Sequence, residues 1–171
     1  MKILSKFIVG SELGIDLLFE LKEIQLREMY KNDIDSEKLT VYIEDELDRR
    51  TAINQLNDFT TQLIMVFGDD QPLGYAIVKN SYERPSVLKD KKAVQLFLYI
   101  LPEFHKAEVF QSLWQKCQSV MRNCCSWTEI LQNDPLLSTL ESWGFTILQE
   151  SKLQPFNLDS YILLASEPSV L

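Results

Sequence analysis

The sequence predicts a mixed α/β domain in which a mostly antiparallel central sheet carries helices on both faces. Three observations predict it. Ala93–Leu101 is nearly continuous apolar sequence, as in a strand buried on both sides with no solvent face to impose alternation. Pro102 then removes a backbone donor, and from Phe110 the apolar positions take a helical period: Phe110, Leu113, Trp114, Cys117, Val120 and Met121. On either side, short β-rich runs and helical stripes fill a chain of 171 residues, and a single domain over 1–171 is expected.

In chain order, Lys2–Val9 reads as a strand. Ser11 is placed to cap the next helix, and Glu12 lies in the first turn, where the helix dipole favours an acid. Leu17, Leu18, Leu21, Ile24 and Met29 form its stripe, which runs out near Asn32-Asp33. Ser36 is the expected cap of a second helix with Leu39, Ile43 and Leu47, followed by a shorter helical piece to Leu56. Thr60–Phe67 has strong β character, Gly68–Pro72 reads as a turn, and Leu73–Lys79 as the returning strand. Ser81–Lys92 is polar, holds Pro85 and reads as a loop. Beyond the central strand and helix, Cys125–Leu131 is a further strand. Asp134-Pro135 opens a helix lined by Leu136, Leu137 and Leu140, and Gly144 marks its end. Phe145–Leu153 and Leu158–Ala165 close the chain as antiparallel neighbours.

Composition narrows the function classes. A formal net charge of −8 argues against a nucleic-acid phosphate binder. The acids Glu37, Glu44, Asp45, Glu46 and Asp48 suit either a cationic acceptor or a solvated helix face. The opening segment is too short in apolar residues for a signal peptide, and no run approaches the roughly 20 apolar residues of a membrane span. Cys117, Cys124 and Cys125 lack metal-ligand spacing, so no metal is expected and a reducing, cytoplasmic compartment is.

The element order and three local motifs together resemble the GNAT family of acyl-CoA-dependent N-acyltransferases. Leu73-Gly74-Tyr75-Ala76 is similar to the family's strand in which a glycine follows the hairpin. Tyr99-Ile100-Leu101-Pro102-Glu103-Phe104-His105 is similar to its fourth strand and exit. Asn133, eleven residues before Gly144-Phe145, has the spacing of its late asparagine and glycine-phenylalanine pair. The resemblance implies a three-layer GNAT-like fold and transfer of an acetyl or other acyl group from acyl-CoA to an amine on a small molecule or peptide. It implies a cofactor site of Ile100 and Leu101, whose backbone would pair with the pantetheine arm, with His105, Lys106, Ala107 and Asn133.

The sequence departs from the family where the chemistry is done. The phosphate loop aligns with His105-Lys106-Ala107-Glu108-Val109-Phe110, so Glu108 and Phe110 stand where small residues let the backbone approach phosphate. A carboxylate about 4 Å from a phosphate costs on the order of 1–4 kcal/mol, and weak or absent acyl-CoA binding is expected. Leu140 stands where many members carry the tyrosine that protonates the leaving thiolate. Tyr99 and Glu103 are the remaining catalytic candidates, each with a simpler reading as a core aromatic and a helix-start acid. Two functions stay open: an N-acyltransferase with an altered grip, or a catalytically silent binding or regulatory module. Phe110 is expected in the core. A protein partner or a homodimer is compatible with either function.

Overall fold

The structure, a computed structural model, describes residues 1–80 and 83–166. Seven strands and five helices follow in the order β1 (Ile3–Ile8), α1 (Glu12–Tyr30), α2 (Ser36–Glu46), α3 (Arg49–Leu56), β2 (Thr61–Gly68), β3 (Gln71–Lys79), β4 (Ala93–Ile100), α4 (Ala107–Val120), β5 (Cys125–Leu131), α5 (Leu137–Ser142), β6 (Phe145–Leu153) and β7 (Leu158–Ala165). The strand order is β1-β2-β3-β4-β5-β7-β6, so the apolar run at 93–100 is the central strand. Pairing is antiparallel at β1–β2, β5–β7 and β6–β7, and parallel at β4–β5. The mixed, mostly antiparallel sheet expected from the sequence is therefore present. The parallel ladder has three pairs among the described residues, Ala93–Gln95 against Cys125–Trp127, although β4 runs on to Ile100.

The chain forms two compact units. The first comprises Met1–Val78 with Phe97–Val120; the second comprises Lys79–Leu96 and the chain from Met121 onward. In the first unit the two faces of the sheet are told apart by alternation. Leu63, Met65 and Phe67 of β2 join Leu18 and Leu21 of α1, with Tyr75 and Tyr99, in one buried cluster. The opposite face meets α4: Ser5 Oγ lies 2.8 Å from Ser112 Oγ, and Ser5 is paired with Val66. Ile64, Met65 and Val66 are fully buried, each worth about 1.5–3 kcal/mol relative to exposure.

Local chemistry sets the ends of these elements. Ser11 Oγ accepts from Gly14 N, as expected of a cap. The cap of α2 is Asp35 rather than Ser36: its carboxylate accepts from Lys38 N, and Ser36 is the first helical residue. Asp48 caps α3 through Thr51 N. Arg49 ties α3 to α1 through Glu12, at 2.8 Å, and through Asp16. The β2–β3 turn is Asp69-Asp70, both at positive φ, which matches the twist of a two-residue hairpin. Pro72 consequently sits within β3 rather than in the turn.

Helix α4 starts at Ala107, three residues before the apolar period predicts. Its fully buried positions are Val109, Leu113 and Cys117, and Phe110 is only half-buried, which corrects its expected place in the core. Both 109 and 110 are apolar, and the i, i+4, i+8 line through Val109 is the one turned to the sheet.

In the second unit, Leu88, Ala93, Trp127, Ile162 and Leu164 form a separate cluster. Ser81 and Tyr82, which open the expected 81–92 loop, lie outside the described residues; the rest of that loop contains a single 3-10 turn, Ser86–Leu88, that buries Leu88. Asp134 Oδ1 accepts from Leu136 N ahead of α5, and Gly144 ends that helix at φ 94°. Strand β6 is mostly exposed, with a register shift between Ile147 and Gln149.

The corrected face of α4 is testable by equilibrium unfolding. Leu113→Ala is expected to lower stability by about 2–5 kcal/mol, and Phe110→Ala by clearly less. Equal losses would return Phe110 to the core.

Candidate functional site

The candidate site is the exit of β4 and the turn into α4, all within the first unit. Leu101 N–H donates to Leu73 O at 2.9 Å, which holds the end of β4 to β3. Gly74 makes that approach possible: a Cβ there would lie 2.4 Å from Tyr99 O and 2.8 Å from Ile100 Cα, both backbone atoms that cannot swing aside. Backbone groups alternate sides along a strand. With those of Tyr99 and Leu101 turned to β3, those of Leu98 and Ile100 face the other edge, beyond the end of the parallel ladder. Phe97 is 43% exposed and Leu98 half-buried, unusual for the middle strand of a sheet.

A one-turn 3-10 helix, Pro102–Phe104, reverses the chain. Phe104 N donates to Leu101 O at 2.8 Å, and the ring of His105 returns to the strand, with Nε2 2.9 Å from Ile100 O. Of the backbone groups expected to meet a pantetheine arm, Leu101 N–H, Leu101 O and Ile100 O thus already have partners inside the chain. Lys106 N donates to Phe104 O at 2.7 Å, and Lys106 O accepts from Val109 N and Phe110 N. Ala107 and Glu108 supply the first N–H groups of α4, which have no acceptor within the helix. Lys106, Ala107 and Glu108 are all exposed. Glu108 lies in the first turn, where its carboxylate complements the helix dipole that a phosphate would otherwise use. Phe110 packs its ring against His105, centroids 5.3 Å apart.

Behind the strand, Tyr99 is 8% exposed and its hydroxyl has no hydrogen-bond partner among the described residues, an uncommon state for a buried donor. Its ring is tilted against that of Tyr75, 6.3 Å away, and the Tyr75 hydroxyl donates to Gln25 Oε1 of α1. Burial, with the nearby carboxylates of Glu28 and Glu103 adding to it, pushes the Tyr99 phenol up to about 12. Tyr75 is raised as well, by burial and by Tyr99. Both are neutral O–H donors at any physiological pH. Glu103, the other catalytic candidate, is exposed on the 3-10 turn. Gln25 was the signal available in the sequence for this polar group: it follows Leu18 and Leu21 at i+7 and i+4, a polar residue in an apolar stripe.

Asn133 belongs to the second unit, exposed on the turn after β5. Leu140, at the position of the missing phenol, is a core residue at 1% exposure. Cys117 is buried, which pushes its thiol up to about 12 and makes it a poor nucleophile. Among the described residues no group of acids, cysteines or histidine converges as a metal site, and no helix is long and apolar enough to cross a membrane.

Two outcomes follow. Gly74→Ala is expected to cost about 1–3 kcal/mol in urea unfolding, because backbone must shift to admit the methyl. Tyr99 and Tyr30, both raised to about 12 chiefly by burial, stay protonated in the fold while unfolded phenols ionise near 10. Their contribution to stability is complete below about pH 10 and is lost as pH rises through about 12. Phenolate absorbance should therefore develop in steps, the last coinciding with alkaline unfolding; a single step near pH 10 with the fold intact would contradict this.

No protein-family model matches the chain, and no curated protein matches its sequence. Solved structures do match. The PaiA N-acetyltransferase from Thermoplasma acidophilum, in complex with coenzyme A, superposes with a TM-score of 0.74 at 14% identity over 97% of this chain and 99% of that one. The GCN5-related N-acetyltransferase from Rhodopseudomonas palustris gives 0.67 at 10% identity, covering 97% and 96%. The ribosomal-protein-S18-alanine N-acetyltransferase from Escherichia coli gives 0.63 at 9% identity, covering 99% of each chain. At such identities the likeness establishes the fold, and the fold is that of the GNAT acetyltransferases.

Proposed function

We propose that this GNAT-fold chain is an acyl-CoA-dependent N-acyltransferase that holds its cofactor by the edge of β4 rather than by a glycine cradle. The supporting observation is the parallel ladder that stops at Gln95 while β4 continues, leaving the outward edge of Leu98 and Ile100 next to a turn that leads into α4. A neighbour of the same fold was solved with coenzyme A bound. The fit to acyl-CoA is divided. Backbone pairing along β4 does not depend on side-chain identity, and the N–H groups of Ala107 and Glu108 suit an anion. The Glu108 carboxylate and the bulk of Phe110 oppose close approach by a pyrophosphate.

When bound, the cofactor supplies a thioester carbonyl open to attack by an amine. In this reading the outward backbone of Leu98 and Ile100 aligns the pantetheine arm, Leu101 anchors that edge through its bond to Leu73 O, and the turn His105-Lys106-Ala107 faces the phosphates, with Lys106 offsetting part of the Glu108 charge. Tyr99, held protonated, would donate a hydrogen bond toward the reacting groups; Glu103 would accept the proton of the incoming ammonium, and as the N–C bond forms and the C–S bond breaks the second amine proton would pass through solvent to the leaving thiolate. The acceptor is an amine on a small molecule or peptide, and we place the protein in the cytoplasm.

A second reading, a catalytically silent module that binds a ligand or partner on the same fold, is favoured by one observation: the residue in the position of the leaving-group acid is Leu140, fully committed to the core. Calorimetric titration with acetyl-CoA, paired with a thiol-release assay over a panel of amines, separates the two. The acyltransferase reading predicts a Kd above roughly 100 μM and amine-dependent thiol release at millimolar acetyl-CoA. Binding without release supports the silent module. Glu108→Gly with Phe110→Ala is expected to tighten binding, at some cost in stability from the lost ring contact with His105. Low-micromolar binding by the unchanged chain would show that the loop is not the obstacle described.

A further inference from the structure

We infer that His105 is an internal latch on the acyl-arm edge of β4, competing with the ligand rather than holding it. This rests on the acyl-CoA reading and adds a regulatory contact to it. A carbonyl oxygen only accepts, so the 2.9 Å contact requires His105 Nε2 to carry its proton and donate to Ile100 O. Ile100 is a residue whose backbone faces away from β3, because its neighbour Leu101 donates to Leu73 O. The imidazole therefore fills the place that the amide N–H of an extended ligand would take on adding to this edge.

The latch is held from several sides. Pro102 fixes the first dihedral of the turn, Phe104 N and His105 N donate to Leu101 O and Pro102 O at 2.8 and 3.2 Å, and Phe110 packs against the ring. His105 reaches back only five residues, so few dihedrals have to be fixed to make the contact. A ligand that pairs with Ile100 O must first displace the ring, and its apparent affinity falls by the fraction of molecules that are unlatched.

The test uses pantetheine, an amide arm without phosphates on which Glu108 has no bearing, and acetyl-CoA beside it. The unchanged protein is compared with His105→Phe, which keeps a ring against Phe110 but cannot donate, and with His105→Ala. Both variants are expected to bind pantetheine about fivefold to tenfold more tightly, the scale of one net hydrogen bond. In the ligand-free protein, the nitrogen-bound proton of the only histidine should be resolved by NMR at Nε2 and exchange slowly with water. Equal affinities, weaker binding by His105→Phe, or an Nε2 proton in free exchange would each overturn the latch while leaving the acyl-CoA reading in place. No binding of either ligand by any of the three proteins would overturn that reading, and the latch with it.

Discussion

The chemistry available to this chain depends on how the backbone of β4 leaves the sheet. Leu101 N–H is bound to Leu73 O, and Gly74 lets β3 lie against Tyr99 O and Ile100 Cα at a distance no side chain would tolerate. That contact sets the phase of the strand. It turns the backbone of Ile100 outward and its neighbours' inward, and the turn through Pro102 then delivers His105 to the outward carbonyl. A shift of one residue in this phase would present a different set of groups at the edge.

The same phase places side chains. Tyr99 points into the α1 side of the first unit beside Tyr75, so two phenols lie within a cluster otherwise built of Leu, Met and Phe. Tyr75 is satisfied by Gln25, whereas the Tyr99 hydroxyl has no partner among the described residues. The hydroxyl, with Glu28 and Glu103 acting on it, is the feature of the core that packing does not account for.

Much of the fold was legible in the sequence. Strands β5, β6 and β7 lie where they were expected, and β4 differs by one residue, because aromatic and branched runs bounded by proline, glycine and asparagine leave few alternatives. The start of α4 lies ahead of its apolar period because Lys106, Ala107 and Glu108 are exposed and turn no apolar side chain to the sheet, so periodicity is silent over the first turn. The Asp35 and Ser36 ambiguity arises from two good caps in adjacent positions. At the candidate site, the residue types were visible but their state was not. Nothing in His105-Lys106-Ala107 says that the imidazole returns to Ile100 O, since a backbone acceptor leaves no mark in the sequence. Gln25 left one, a polar residue in an apolar stripe.

Amide hydrogen exchange at Leu101 tests the pinning of β4 most directly. If the strand ends as described, the Leu101 amide exchanges as slowly as the buried amides of β3, with an opening free energy approaching that of global unfolding. Exchange at the rate of the exposed turn residue Glu103 would contradict it, and the phase of the β4 edge would then have to be assigned anew.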